Sequence, residues 1–168
     1  MKRIPETELM ADAPQAQIYA AADFSKPHDY FVRLFHERFQ GTEMDGPVLD
    51  LGCGPGDVSL RFARVFRQCR VDGIDGATAM LAAGKRLLSK AGEAANRVHL
   101  IHGYLPGAPM PEPHYGVIIS NSLLHHLADP MVLWEAIKTY GAKECRVFIM
   151  DLMRPATSDA ARSLVQQY

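Results

Sequence analysis

The chain has 168 residues, 48% of them hydrophobic and 22% charged, and 18 Lys and Arg against 19 Asp and Glu leave a net charge of −1. That length carries one domain with a real core but not two ordinary ones, and the composition is not that of a disordered chain. The near-neutral total gives no clear nucleic-acid signal, and no apolar run approaches the ~18 residues of a membrane span.

Residues 1–28 read as an N-terminal lead-in, mobile to about residue 17: the stretch is polar, holds Pro5 and Pro14, and has no apolar h-region behind Met1-Lys2-Arg3. A single domain is expected over 29–168. From Asp29 to Phe39, the apolar positions Tyr30, Phe31, Leu34, Phe35 and Phe39 follow one helix face. Tyr19 and Tyr30 are expected as aromatic core contacts, with a lid over a site as the alternative.

Val48-Leu49-Asp50-Leu51 is a short buried strand, Gly52-Cys53-Gly54-Pro55-Gly56 a tight turn, and 57–66 a helix with Val58, Phe62 and Val65 inward. Val71 to Asp75 is a second strand, and Thr78 is expected to cap a helix running to about Ala91. Val98 to His102 makes a third strand. The prolines at 106, 109, 111 and 113 then enforce a loop from Gly103 to His114. Gly116 to Asn121 is a fourth strand, a helix follows Pro130 to about Tyr140, and Arg146 to Asp151 is a fifth strand. Strands and helices alternate, and the strands are too apolar for a wet face. The pattern implies an α/β fold, a doubly wound and mostly parallel sheet with helices on both faces.

In such a sheet, ligands sit beyond the carboxyl ends of the strands where the winding reverses. Alternate glycines at 52, 54 and 56 let bare main chain approach a ligand, and the amides opening the next helix add donors. A dinucleotide fingerprint would place its third glycine at residue 57, where the chain has Asp57, and no Gly-Lys-Ser/Thr follows for a phosphate loop. A nicotinamide-dependent oxidoreductase is therefore the weaker reading. Asp75 ends the second strand at the separation expected of a carboxylate that accepts ribose hydroxyls; its bland alternative is a helix cap.

These residues resemble the class I S-adenosylmethionine-dependent methyltransferases of the small-molecule type. Val48 to Gly56 is similar to their first motif, Ile74 to Leu81 to their second with Ala77 in place of serine, and Ile118 to Leu127 to their fourth-strand motif. The resemblance implies a Rossmann-like methyltransferase fold and methyl transfer from S-adenosylmethionine, with S-adenosylhomocysteine as product, to a small-molecule acceptor. Under it Asp50, Gly52, Cys53, Gly54 and Gly56 surround the methionine part, and Asp75 and Gly76 hold the ribose. Met80 packs on the adenine, and Asn121 and Ser122 meet the cofactor from the fourth strand. Gly103-Tyr104 replaces the acidic or amide residue often found after the third strand, so Tyr104 would offer its ring or hydroxyl.

His125 and His126, just past the fourth strand, are the candidate general bases; packing around the Asp129-Pro130 turn is the structural alternative for each. His28, His36, His99, His102 and His114 show no metal-ligand spacing and read as structural or exposed. The cysteines Cys53, Cys69 and Cys145 are unpaired in spacing, so a reducing cytoplasm is the expected compartment and Cys53 a space-filler in the turn. Only 17 residues follow Asp151, and the resembled fold continues with a helix and an antiparallel strand pair. The sequence thus reads as a C-terminally truncated form, whose alternative function is a non-catalytic cofactor-binding module. Its fifth strand is expected at the sheet border, a possible homodimer contact.

Overall fold

Alternating apolar strands and one-faced helices leave few ways to bury both, and the chain adopts the doubly wound one. A computed structural model describes residues 13–41, 43–153 and 155–165. The strands are β1 (Pro47–Leu51), β2 (Arg70–Asp75), β3 (Val98–His102), β4 (Tyr115–Asn121) and β5 (Gly141–Met150). They form one sheet in the order β3-β2-β1-β4-β5, and each observed ladder is parallel. The helices are α1 (Ala13–Ala21), α2 (Ser25–Arg38), α3 (Asp57–Val65), α4 (Thr78–Leu88), α5 (Met131–Tyr140) and α6 (Ser158–Val165). Winding goes outward from β1 to β3, then crosses back to β4, so the switch point lies between β1 and β4.

One face of the sheet packs against α2 and α3 through Val48, Val71, Val117 and Ile119, which meet Phe31, Phe35 and Phe62. Phe31 and Phe35 both set an edge against Phe148, with ring centroids 5.0 and 5.7 Å apart. This geometry favours the ring quadrupoles beyond the area buried. The other face uses the alternate residues Leu49, Leu51, Ile74 and Ile118, covered by Leu133, Ala136 and Tyr140 of α5. At the amino ends of the strands the buried Asp72 accepts from the Tyr115 hydroxyl at 2.9 Å and pairs with His99 Nδ1 at 2.9 Å. Arg97 closes the end of α3 by donating to the carbonyl of Ala63 in its last turn, where the helix leaves acceptors unmet, and to those of Phe66 and Cys69 in the segment that follows.

Several expectations need correction. The part of the lead-in described from Ala13 is helical, and Ala16 of α1 is buried against Ala77 and Met80. Thr78 opens α4 instead of capping it: Ala77 is the cap residue and makes no side-chain cap bond, while Asp75 Oδ1 takes the Ala77 N–H at 2.7 Å. Val65, on the last turn of α3, is half exposed because Phe62 and Ala63 already fill the sheet face. β5 starts at Gly141, five residues earlier than the apolar run, with Glu144 at φ 65° accommodating an irregular entry. Among the described residues no antiparallel strand joins the sheet.

Candidate functional site

β1 and β2 run side by side with Leu51 opposite Ile74, so the turn after β1 and the carboxylate ending β2 emerge together. The Gly52 and Cys53 amides both donate to the Ile74 carbonyl, at 2.9 and 3.0 Å, which folds the turn back over β2. Gly54 N–H then donates to Asp75 Oδ2 at 2.8 Å. Gly52 has φ 71°, and a Cβ there would lie 2.7 Å from Leu123 Cδ1 on the neighbouring loop, so only glycine fits this bend. These features face a cleft of about 770 Å³ at the carboxyl ends of the strands, where a doubly wound sheet binds ligands.

The cleft brings together Asp50, Gly52, Cys53, Gly54, Asp75, Gly76, Met80, Gly103, Tyr104, Asn121, Ser122, His125 and His126. Gly56 is not among the residues that line the cleft: it caps α3 behind the turn, where a Cβ would meet Leu100 at 2.8 Å, so the glycine lets the helix start pack closely. Cys53 contributes mainly backbone; its side chain lies against Gly73, and burial pushes its thiol far up, the opposite of an activated nucleophile. Tyr104 stands 60% exposed at the rim, its ring edge-on to His102. Ser122 adopts φ 60°, a conformation that costs energy outside glycine, and its N–H donates to Met150 O.

The electrostatics of the cleft follow from burial. Asp50 lies at the floor, 1% exposed, and accepts from the Ser59 hydroxyl at 2.5 Å. Burial lifts its carboxyl to about 7, against the Ser59 bond, with the nearby Asp75 charge adding to the rise. Asp75 is raised too, chiefly by burial and in opposition to the two N–H bonds it accepts. Asp57 behaves differently: burial would raise it, yet bonds from His28 and Arg61 hold it below the usual carboxylate range.

The sequence offered an α1–α2 contribution only as the alternative of a lid by Tyr19 and Tyr30, and gave no sign of the part taken by His28. His28, expected as structural or exposed, is buried in the cleft wall with Nδ1 2.7 Å from Asp57 Oδ2. Arg61 donates from Nε to the same oxygen at 2.7 Å and from Nη1 to Asp29 at 2.5 Å, tying α2 to α3. Tyr19 and Phe24, 4.7 Å apart between ring centroids, line the same wall. Tyr30 is not a core residue; it is 45% exposed and borders the cleft. The hint in the sequence was the aromatic density around residues 19–31, for which a core role was expected and a lid was the alternative.

Asp151 was also missed, visible in the sequence only as the end of a strand. One oxygen accepts from Leu124 N–H at 2.6 Å; the other accepts from Leu152 N–H and lies 2.7 Å from His125 Nδ1. The His125 and His126 rings lie 4.1 Å apart. The cleft lining thus holds four carboxyl groups and three imidazoles, and no Lys or Arg among the described residues.

Comparison with known proteins agrees with this geometry. A family model described as a methyltransferase domain matches residues 48–141. Trans-aconitate 2-methyltransferase of Sinorhizobium medicae (strain WSM419) is 30% identical over 122 residues, covering 71% of this chain and 44% of the relative. An uncharacterized methyltransferase of Schizosaccharomyces pombe is 25% identical over 95 residues, covering 54% and 34%. The matched stretch therefore spans less than half the length of these curated relatives. Among solved structures, a SAM-dependent methyltransferase from Aquifex aeolicus superposes with a TM-score of 0.67 at 18% identity, covering 88% of this chain and 76% of its own. The glycopeptide N-methyltransferase MtfA complexed with S-adenosyl-L-methionine gives 0.64 at 22% identity, covering 77% and 56%. These likenesses carry the fold. The family match extends over more than half of the residues, and the chain belongs to the methyltransferase domain family.

Proposed function

We propose that the chain binds S-adenosylmethionine at the turn after β1 and the end of β2 and transfers its methyl group to a small-molecule acceptor. The observation that carries this reading is the Gly54–Asp75 bond: the bare turn and the carboxylate open onto one cleft, 2.8 Å apart. The residues fit the cofactor chemically. Asp75 presents a carboxylate to ribose hydroxyls, Asp50 an anion to an ammonium group, and the Gly52 bend leaves main chain where a side chain would block. Met80, with its Cε 3.4 Å from where a Gly54 side chain would begin, offers an apolar surface for a base.

When bound, the cofactor supplies a methyl group already activated on a sulfonium. The protein's part is alignment and proton removal. Asp57, engaged by His28 and Arg61 at the start of α3, leaves that helix end unsuited to a pyrophosphate, which tells against a nicotinamide cofactor. The border strand β5 is the surface we propose for self-association, since an edge strand presents open backbone groups.

The test of the main reading is calorimetric titration with S-adenosylhomocysteine. Saturable binding lost in Asp75→Ala is the expected result; absence of heat at millimolar ligand would refute it.

A further inference from the structure

The wall that α1 and α2 give the cleft is held at two places, at the starts of the two helices that flank the glycine turn. At the start of α4, Ala16 is buried against Ala77 and Met80, and Tyr19 packs on the same cluster. At the start of α3, His28 meets Asp57. A line of rings runs between these places: Tyr19 and Phe24 have centroids 4.7 Å apart, and Phe24 and His28 5.5 Å. These rings line the cleft together with Gly54, Pro55 and Asp75. Burial, followed by the charges of Asp57 and Asp75, pushes the Tyr19 hydroxyl up, as expected of a ring that lies near both carboxyl groups.

The two attachments differ in kind. The one at α4 is a small apolar contact. The one at α3 is a charge-assisted network centred on Asp57 Oδ2, which accepts from His28 Nδ1 and from Arg61 Nε, each at 2.7 Å. An ionised carboxylate only accepts, so the proton of the first contact sits on His28 Nδ1. Arg61 reaches on to Asp29, the residue after His28, so α2 is gripped at adjacent positions. Asp57 is also the first residue of α3, directly after the turn. A shift of the turn therefore carries α2 with it, and a shift of α2 the turn.

We propose that Asp57 is a positioning residue for cofactor retention: through His28 and Arg61 it holds the line of rings over the turn and sets how fast the cofactor leaves. This rests on the methyl-transfer reading above, and it asks for no contact between Asp57 and the cofactor itself.

The test follows dissociation of S-adenosylhomocysteine from the full chain by surface plasmon resonance. Asp57→Ala and His28→Leu should each speed it about tenfold or more, the worth of one lost charge-assisted bond. The double variant should dissociate within about twofold of Asp57→Ala, because both changes remove the same contact. His28→Asn, which keeps an N–H donor near the Nδ1 position, should stay within about threefold of the unaltered chain. A general loss of stability would give neither that rescue nor that non-additivity. Unchanged rates in the single variants, fully additive effects, or His28→Asn as fast as His28→Leu would overturn the role of Asp57. Hydrogen exchange of the unaltered chain adds a measurement that depends on no variant: S-adenosylhomocysteine should slow exchange over 16–28 as well as over 52–56, and no change over 16–28 would overturn the proposal. Failure of S-adenosylhomocysteine to bind the unaltered chain would instead defeat the methyl-transfer reading. Ligand-free exchange would then still decide whether Asp57 holds the wall: in His28→Leu it should be about tenfold faster over 16–28 with β4 unchanged, and equal rates over 16–28 would refute the attachment.

Discussion

Replacing Asp50 with asparagine should make the protein more stable at pH 8 and poorer at holding its cofactor. Asp50 is buried at the end of β1, and burial lifts its carboxyl from 3.8 to about 7. In the unfolded chain the group loses its proton near 3.8; in the folded chain it keeps it to about 7. Between those values the native state binds more protons, so stability falls as pH rises through that window and stays low above it. At about 1.4 kcal/mol per pH unit the loss amounts to about 4 kcal/mol. Asparagine has the same shape, can still accept the Ser59 hydroxyl, and carries no charge to desolvate. Urea unfolding of both proteins at pH 4.5, 6 and 8 should show an advantage for Asp50→Asn that grows from little at pH 4.5 to roughly 2–4 kcal/mol at pH 8. Under the cofactor placement proposed above, the same substitution removes the anion that would face the cofactor's ammonium, and a lost charged hydrogen bond of about 1.5–3 kcal/mol corresponds to roughly 10- to 100-fold weaker S-adenosylhomocysteine binding. A stability difference that does not change with pH, or a less stable variant at pH 8, would refute the reasoning.

Gly52→Ala forces φ 71° on a residue with a Cβ and drives that Cβ within 2.7–2.9 Å of three Leu123 atoms; the strain and overlap should cost about 2–4 kcal/mol in urea unfolding and abolish cofactor binding, and a loss under about 1 kcal/mol would contradict the bend as described. Self-association through β5 should appear as a dimer fraction that grows with concentration in multi-angle light scattering. A monodisperse monomer at the highest concentrations reached would refute the edge as a contact.

Much of the glycine-turn side of the cleft was legible because its signals are local. A glycine turn between a short apolar strand and a helix, and a carboxylate at the end of the next strand, are adjacent in space wherever two consecutive parallel strands pair. Gly52, Gly54 and Asp75 could therefore be assigned to one cleft from their order along the chain. Gly56 lies off the cleft lining because the same residue type serves two purposes: the alternation of glycines does not reveal which faces the cleft and which lets Leu100 pack beneath the helix. The rest of the cleft was poorly legible. His125 meets Asp151 across 26 residues and His28 meets Asp57 across 29, and nothing in the composition of either segment announces the other.

What the amino-acid order determined by itself was the alternation of apolar strands and amphipathic helices, and with it a parallel sheet whose first turn must be bare main chain. Those are consequences of periodicity and of φ, both properties of a few neighbouring residues. Only the tertiary structure decided which carboxylates and imidazoles share the cleft and which of the carboxyl groups ionise easily. Desolvation and hydrogen bonding depend on what surrounds a group from every side: the same side chain is pushed up to about 7 at Asp50, on a buried floor, and held low at Asp57, between an imidazole and a guanidinium.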